Sequence, residues 1–499
     1  MAQTLSCINA WWARMRPDQP AVVLAGEALT YSQYNQWAER VAVHLQELGL
    51  KPGQRVAVCA HNSLAYCALI MGIIRAGGIV SPVNFRYLSR EIAELLEKTE
   101  PSICFAGSDF AGNMGKAGYP ARDIAEIEAL RDGPVVKCSH DPHPDDKVVI
   151  IATSGSTAAP KGVVYTHRSM IAYASNWSLE ETSSSAGSRV LALAPLNTSA
   201  GFVQLTHYTI QGCTIFMEPS FDPAGVLATI QREKINCWGG VPVFFEAVAA
   251  LPEFESADLS CITLATAGGA PVTPKLLDTY RKKGIIIRQI YGQTEVGGNA
   301  TMMPSHLAVD MPEKCGWGGV TMDIRVVRED GTDCEPGEQG EILMRSPGMM
   351  VEYWAEPEKT AATIRDGWLY SGDLGKLDER GLLTFVDRLK DLIISGGLNI
   401  AAAEVERVVG EFSGIVEVLV IAAPDDKFGE TPMAIYHGPE EVDTAALIAH
   451  CNERLSNYKV PRYVIYSKEP LPRLATGKLS KPAVRETYAN AHKELQRVR

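Results

Sequence analysis

The 499-residue chain is short of the features that most quickly place a protein. None of its 11 cysteines forms a CxxC pair, and the nearest two are Cys59 and Cys67. An odd, unpatterned set argues against a disulfide framework or a zinc module. It fits reduced thiols buried in a cytoplasmic protein. No run reaches the roughly 18 apolar residues of a membrane helix. There is no excess of positive charge: the net charge is -12, which disfavours non-specific binding to nucleic acid or anionic membranes. Residues 1–18 contain Arg14 and Arg16 and no long apolar stretch, so no secretory signal is expected. Residues 495–499 carry no peroxisomal or lipidation signal. No repeat of 20–50 residues and no low-complexity tract occurs.

What is present is ordinary globular composition, with 46% hydrophobic and 21% charged residues. At about 100–200 residues per domain, the length suits two to four structural units. Apolar runs of strand length alternate with helical patterns. Residues 55–59 read as a strand, 63–76 as a helix closed by Gly77-Gly78, 79–80 as a strand, 90–98 as a helix and 103–105 as a strand. This is the spacing of βαβ units in a mostly parallel sheet. Further strands are expected at 190–193, 214–217, 261–265 and 285–290, with helices at 223–233 and 273–283. After Gly316 the texture changes to short strands at 324–327, 341–344 and 382–385 between turn signals, a small β-unit. A charged stretch, Asp387-Arg388-Leu389-Lys390-Asp391, then precedes a segment with its own αβ pattern. There, a strand at 392–394, a helix at 403–409, a strand at 416–421 and a helix at 444–454 are expected. The fold class expected is α/β: a large N-terminal domain (1–387), a hinge (388–391) and a small mobile α+β C-terminal domain (392–499).

Four motifs carry chemistry. The first is Thr153-Ser154-Gly155-Ser156-Thr157-Ala158-Ala159-Pro160-Lys161-Gly162, following the apolar run 148–151. Small residues let backbone N–H groups approach phosphate oxygens, hydroxyls add donors and Lys161 adds charge. It is not a Walker A loop, because GK[ST] is missing. The second is Tyr291-Gly292-Gln293-Thr294-Glu295 at a strand end, where α/β sheets bind ligands. Glu295 suits Mg²⁺, Thr294 a phosphate oxygen and Tyr291 a base. The third is Tyr370-Ser371-Gly372-Asp373 with Arg388, an acceptor and a donor for sugar hydroxyls. The fourth is Ala475-Thr476-Gly477-Lys478, a glycine-flanked lysine able to neutralise a phosphorus transition state. Taken singly, each also reads as an ordinary turn, loop or surface ion pair.

In this order and combination the motifs resemble the adenylate-forming superfamily: acyl- and aryl-CoA ligases, firefly luciferase and peptide-synthetase adenylation domains. The resemblance extends over nearly the whole chain and includes Leu29-Thr30-Tyr31, Ala267-Gly268-Gly269-Ala270-Pro271 and Gly396-Gly397-Leu398-Asn399-Ile400. It implies that a carboxylic acid attacks the α-phosphate of ATP, releasing pyrophosphate. A thiol, usually that of coenzyme A, then takes the acyl group. By resemblance, the Thr153–Gly162 loop holds the β- and γ-phosphates, Glu295 binds Mg²⁺ and Thr294 the α-phosphate. Gly268, Gly269 and Ala270 flank one adenine face, and Tyr291 and its neighbours Gly292 and Gln293 the other. Asp373 and Arg388 fix the ribose. Lys478 bridges the α-phosphate and the acid. Lys390 is the hinge, and Gly396 and Gly397 serve the thiol step. Catalysis then rests on Lys478, Thr294 and Glu295.

The chain departs from that pattern at Ala158, where Gly is usual, at Asp387 before the hinge arginine, and at Ala402 in place of Pro. It also has Asn197-Thr198-Ser199 where an aromatic–His pair often gates the acid pocket. The resemblance lines that pocket from Asn197, Phe202, Val203, Trp238, Gly239, Gly240, Val241, Pro242, Ala267, Gly292, Gly297 and Gly298. Many of these are small, and Trp238 and Phe202 supply apolar walls. A bulky apolar acid is therefore expected: aromatic, alicyclic or medium to long acyl. An amino acid is disfavoured, because no Asp stands near 197–202 to meet an ammonium. Two rival readings are an adenylating enzyme that loads a carrier protein and a catalytically silent binding homologue. The expected partners are small molecules only, in a monomer or homodimer.

Overall fold

The computed structural model describes residues 4–153, 161–181, 183–474, 478–493 and 495–498. The chain packs as two units, Met1–Ile324 with Met344–Leu369, and Arg325–Leu343 with Tyr370–Arg499. The stretch 388–391 falls inside the second unit.

The first unit holds two large sheets. In one, the strands run in the order Trp317–Gly318, Thr301–Met302, Ile287–Tyr291, Leu264–Gly268, Cys237–Gly240, Arg189–Ala192, Thr214–Met217, Pro20–Leu24 and Glu27–Thr30. The six from Ile287–Tyr291 to Pro20–Leu24 are parallel. Most of their residues are buried, on both faces of the sheet, which is how parallel strands avoid water. The other sheet has seven strands, with Arg55–Cys59, Ile79–Pro82 and Ile103–Ala106 at its parallel centre. The helix Leu64–Arg75 is capped by the Ser63 hydroxyl and is apolar nearly all round. Its burial follows from that composition.

The expected strand at 261–265 forms later in the chain, at Leu264–Gly268. The N–H groups of Thr263 and Leu264 both donate to the Asn236 carbonyl, so ladder pairing with Cys237–Gly240 begins only at Leu264. Cys261 and Ile262 precede the strand in a turn.

In the second unit, Glu417–Asp425 and Gly429–His437 form a long antiparallel pair, and Tyr463–Ser467 runs parallel to the latter. Side-chain alternation gives this sheet two apolar faces. Val420 and Ala434 pack with Val405, Val408 and Leu447 of the helices Ala402–Gly410 and Thr444–Arg454. Leu419, Ile421, Met433 and Ile435 pack with Leu471 and Val484. The strands Ile393–Ser395 and Leu398–Ile400 form a tight hairpin whose two loop residues, Gly396 and Gly397, have φ of +59° and +80°. Two successive positive φ values define a turn that glycine suits.

Candidate active site

Three neighbouring parallel strands end at Gly240, Gly268 and Tyr291, with Gly240 opposite Ala267 and Gly268 opposite Ile290. A Cβ on Gly268 would lie 2.5 Å from the Ile290 carbonyl oxygen, so only glycine fits. Gly269 follows with φ +77°, and Gly269 and Ala270 are exposed. Tyr291 is buried at the adjacent strand end. A Cβ on Gly292 would stand 2.8 Å from the Ala300 nitrogen. The Gln293 Nε2 is buried without a hydrogen-bond partner.

Thr294 and Glu295 occupy a short 3-10 turn, Thr294–Val296, closed by Gly297 with φ +82°. One phenol secures it. Tyr165 accepts a hydrogen bond from the Gly297 N–H at 2.6 Å and donates to the Thr294 carbonyl. Glu295 is held from two sides. Its carbonyl accepts from Met350 N at 2.8 Å, and its Oε1 accepts from the Tyr353 hydroxyl at 2.7 Å. The Lys161 ammonium sits 4.8 Å from the centroid of the Tyr353 ring. Tyr353 therefore joins Lys161, at one end of the first motif, to Glu295 of the second. Burial, then the charge of Glu295, pushes the phenols of Tyr165 and Tyr353 up, so both stay protonated donors. Neither tyrosine is singled out by sequence. Thr153 pairs with Lys161 in the ladder; Ser154, Gly155, Ser156 and Thr157 lie outside the described residues.

The acid-pocket residues divide. Asn197 precedes the helix Ser199–Gln211, and both its amide atoms are buried without partners. Phe202 and Val203 are buried on that helix. Val241 is the N-cap of the helix Pro242–Ala249. Gly297 packs against the Tyr173 ring. Trp238 departs from expectation. It stacks on Phe245 with centroids 3.9 Å apart and meets Tyr280 edge-on, within the core. Strand alternation turns it to the face opposite Gly239, so it does not wall the space there. The residues around the Gly239 position are Thr266, Gln204 and Tyr208.

In the second unit, Asp373 and Arg388 are directly opposite on antiparallel strands, with Nε to Oδ1 at 3.7 Å. Asp373 is largely buried and Arg388 half exposed. The Ser371 hydroxyl accepts from Asp373 N, and Gly372, with φ +70°, donates to Glu341. Lys478 falls in the same neighbourhood. Although the residue as a whole is exposed, the protein packed about its ammonium lowers its pKa, Arg388 lowers it further and Asp373 opposes them. Residues 475–477 lie outside the described residues.

Around Lys390, the Arg485 side chain pairs with Asp391 at 2.8 Å. Burial and the charge of Arg388 lower the Lys390 pKa. Asp387 is buried, accepting from Arg388 N at 2.7 Å and, through its other oxygen, from Ala403 N at 2.9 Å. It thereby supplies a cap to the helix Ala402–Gly410, whose own N-cap, Ala401, has none to give.

The first unit thus presents parallel strand ends rimmed with glycine and a carboxylate oriented by Tyr353, whose ring Lys161 contacts; the second presents an Asp–Arg pair whose charges act on Lys478. The chain belongs to the AMP-binding enzyme family: residues 9–354 match that family and residues 404–478 match the AMP-binding enzyme C-terminal domain. It is 35% identical over 486 residues to a feruloyl-CoA synthase of an Amycolatopsis species, covering 95% of this chain and 97% of that one. It is 34% identical over 476 residues to the long-chain-fatty-acid–CoA ligase FadD13 of Mycobacterium tuberculosis, covering 92% and 93%. Among solved structures, it is similar to the O-succinylbenzoate coenzyme A synthetase of Bacillus subtilis in complex with ATP and magnesium ion. There the TM-score is 0.87 and the identity 26%, over 95% of this chain and 98% of that one. The chain is an AMP-forming acid–thiol ligase. Among the described residues, no helix is long and apolar enough to cross a membrane.

Proposed function

We propose that the protein joins a bulky, ring-bearing carboxylic acid to coenzyme A through an acyl-adenylate. The observation that supports this most is the grouping of Lys478 with Asp373 and Arg388. An acid carboxylate and a polyphosphate repel each other, and an ammonium near an Asp–Arg pair able to bond sugar hydroxyls would neutralise both anions as they approach. In this reading, Asp373 accepts from the ribose hydroxyls and Arg388 donates to the sugar. Gly268, Gly269, Ala270 and Tyr291 contact adenine. The Thr294 hydroxyl donates to the α-phosphate, and Lys161 with the first motif takes the remaining phosphates.

Glu295 offers one carboxylate, already oriented by Tyr353. No cluster of three or more His, Cys, Asp or Glu occurs among the described residues. That donor set suits Mg²⁺, which keeps its waters and shares phosphate oxygens instead of entering a protein cage. Bound there, it would supply neutralisation of phosphate charge.

The thiol step is assigned to the Gly396-Gly397 hairpin, and Lys390 to a hinge that lets one cavity serve both half-reactions. The domain division at 388–391 belongs to this reading. The bulky acid is argued from the small residue Gly239, on the face away from Trp238, and from the aromatic acid in the name of the feruloyl-CoA relative.

Replacing Lys478 with Ala separates the half-reactions. Adenylate formation, read by pyrophosphate release over a panel of acids, falls at least 100-fold, as for loss of one charge-stabilising group. Thioester formation from supplied adenylate falls far less. Equal losses in both would remove Lys478 from its role. Acetate or an amino acid as the best substrate would remove the bulky acid. Transfer to a holo-carrier protein in preference to coenzyme A would change the acceptor.

A further inference from the structure

We propose that Gln204, with Thr266 and Tyr208 beside it, forms a polar receptor that selects an acid bearing a neutral hydroxyl remote from its carboxyl. This deepens the acid-ligase reading and rests on it. Gln204 and Tyr208 are four residues apart on the helix Ser199–Gln211, so they share a face. Thr266 comes from the neighbouring strand Leu264–Gly268. The three stand around Gly239, whose lack of a side chain lets Thr266 approach closely. A Cβ built there lies 2.8 Å from Thr266 Oγ1, 3.9 Å from Gln204 Nε2 and 4.0 Å from the Tyr208 hydroxyl.

The receptor is fixed and incomplete. Gln204 Nε2 donates to the Gly239 carbonyl at 3.3 Å, which orients the amide, while its Oε1 is buried with no donor. Folded proteins seldom bury such an acceptor without use. Burial raises the Tyr208 phenol pKa, so the group keeps its O–H. His207 stands beside it, ring centroids 5.0 Å apart, with its Nδ1 buried and unpartnered. Burial pushes that imidazole down to about 4, so it is neutral at working pH. None of these four side chains carries a charge, so nothing there would compensate a second carboxylate or an ammonium. A hydroxyl suits the set because it donates and accepts at once. It can donate to Gln204 Oε1 and accept from the phenol or from the Thr266 hydroxyl. A methyl group in its place leaves Gln204 Oε1 unpaired.

The test uses the full chain and acids matched in pairs: 3-(4-hydroxyphenyl)propanoate against 3-(4-methylphenyl)propanoate, 4-hydroxycinnamate against 4-methylcinnamate, and 10-hydroxydecanoate against undecanoate. Affinities are measured by calorimetric titration without nucleotide. At least one hydroxylated acid binds roughly tenfold or more tightly than its methyl partner, the discrimination expected of a buried polar group. Gln204→Leu brings that ratio to within about threefold of unity, and Thr266→Val, an independent isosteric change, also lowers it. The absence of a preference in every pair overturns the proposal, as does a preference that survives both variants. Turnover is measured separately by pyrophosphate release. A protein that prefers the hydroxyl but activates none of the acids retains this proposal and loses the ligase reading.

Discussion

Changing Tyr353 to Phe removes one oxygen and little else. The ring keeps its buried position and its cation–π contact with Lys161. What disappears is the 2.7 Å hydrogen bond to Glu295 Oε1. A hydrogen bond to a charged group contributes about 1.5–3 kcal/mol. At about 1.4 kcal/mol per tenfold change, losing that much orientation of Glu295 lowers kcat/KM for adenylation by roughly ten- to 150-fold. The assay is pyrophosphate release at saturating acid, with Mg²⁺ and ATP varied independently. The apparent Mg²⁺ requirement rises, and thioester formation from supplied adenylate changes by less than about threefold. Thermal unfolding separates this from damage to the fold, because losing that bond costs no more than about the same 1.5–3 kcal/mol of stability, short of the roughly 5–15 kcal/mol that holds a protein folded. If Tyr353→Phe adenylates within twofold of the parent, Glu295 does not depend on the phenol and the Lys161–Tyr353–Glu295 connection has no catalytic meaning. If both half-reactions fall equally, the phenol acts on something other than the metal and phosphate step.

Two further outcomes follow from the packing. His167 is buried, its Nδ1 accepts from Leu5 N at 3.1 Å, and burial pushes its pKa down to about 4. The unfolded chain binds that proton below pH 6.5 and the folded one does not, so stability falls as pH drops from 6.5 toward 4. The loss is on the order of 2 kcal/mol at pH 5. Unfolding midpoints at pH 7 and 5 differ less in His167→Asn than in the parent, and an unchanged difference would exclude His167 as the source. Asp387→Ala leaves the Ala403 and Arg388 N–H groups without their acceptor and costs about 2 kcal/mol or more. Chemical denaturation and limited proteolysis near Ala402–Gly410 report it, and stability within about 0.5 kcal/mol of the parent would show that water replaces the cap.

What the sequence makes legible here is local. The box Tyr291-Gly292-Gln293-Thr294-Glu295 follows its strand as expected, and Gly396-Gly397 makes the turn that two glycines favour. Asp373 and Arg388 are separated by one chain reversal, which brings them together on adjacent strands. What stays hidden depends on which strand lies beside which. Tyr165 and Tyr353 belong to strands paired in the first sheet unit, Tyr353 opposite Val163, although 188 positions separate the two tyrosines. Periodicity identifies a strand but not its neighbour. Trp238 is misread for a related reason. In Cys-Trp-Gly-Gly, no polar–apolar alternation marks the faces, because a central parallel strand is buried on both. An apolar wall and a core residue then look alike, and only the stacking on Phe245 tells them apart.

The same distinction applies to charge. Burial of its ammonium, then repulsion from Arg388, which Asp373 only partly offsets, hold the Lys478 pKa below its ordinary value. A phosphate or carboxylate arriving there would reverse the balance, because an opposite charge within a few ångströms favours the ammonium. In the proposed mechanism adenylation needs the protonated lysine, which is present below its pKa and lost as pH rises through it. The alkaline limb of kcat/KM reports the free enzyme and falls below the lysine reference value of 10.5. The limb of kcat reports the substrate-bound enzyme and lies at higher pH. Pyrophosphate-release rates measured from pH 7 to 10.5, with both substrates either limiting or saturating, resolve the two. Replacing Asp373 with Asn removes the offsetting charge and moves the kcat/KM limb to still lower pH. If the two limbs coincide, or if Asp373→Asn raises the first of them, then the group that titrates is not Lys478 and its pairing with Arg388 does not set the reaction's dependence on pH.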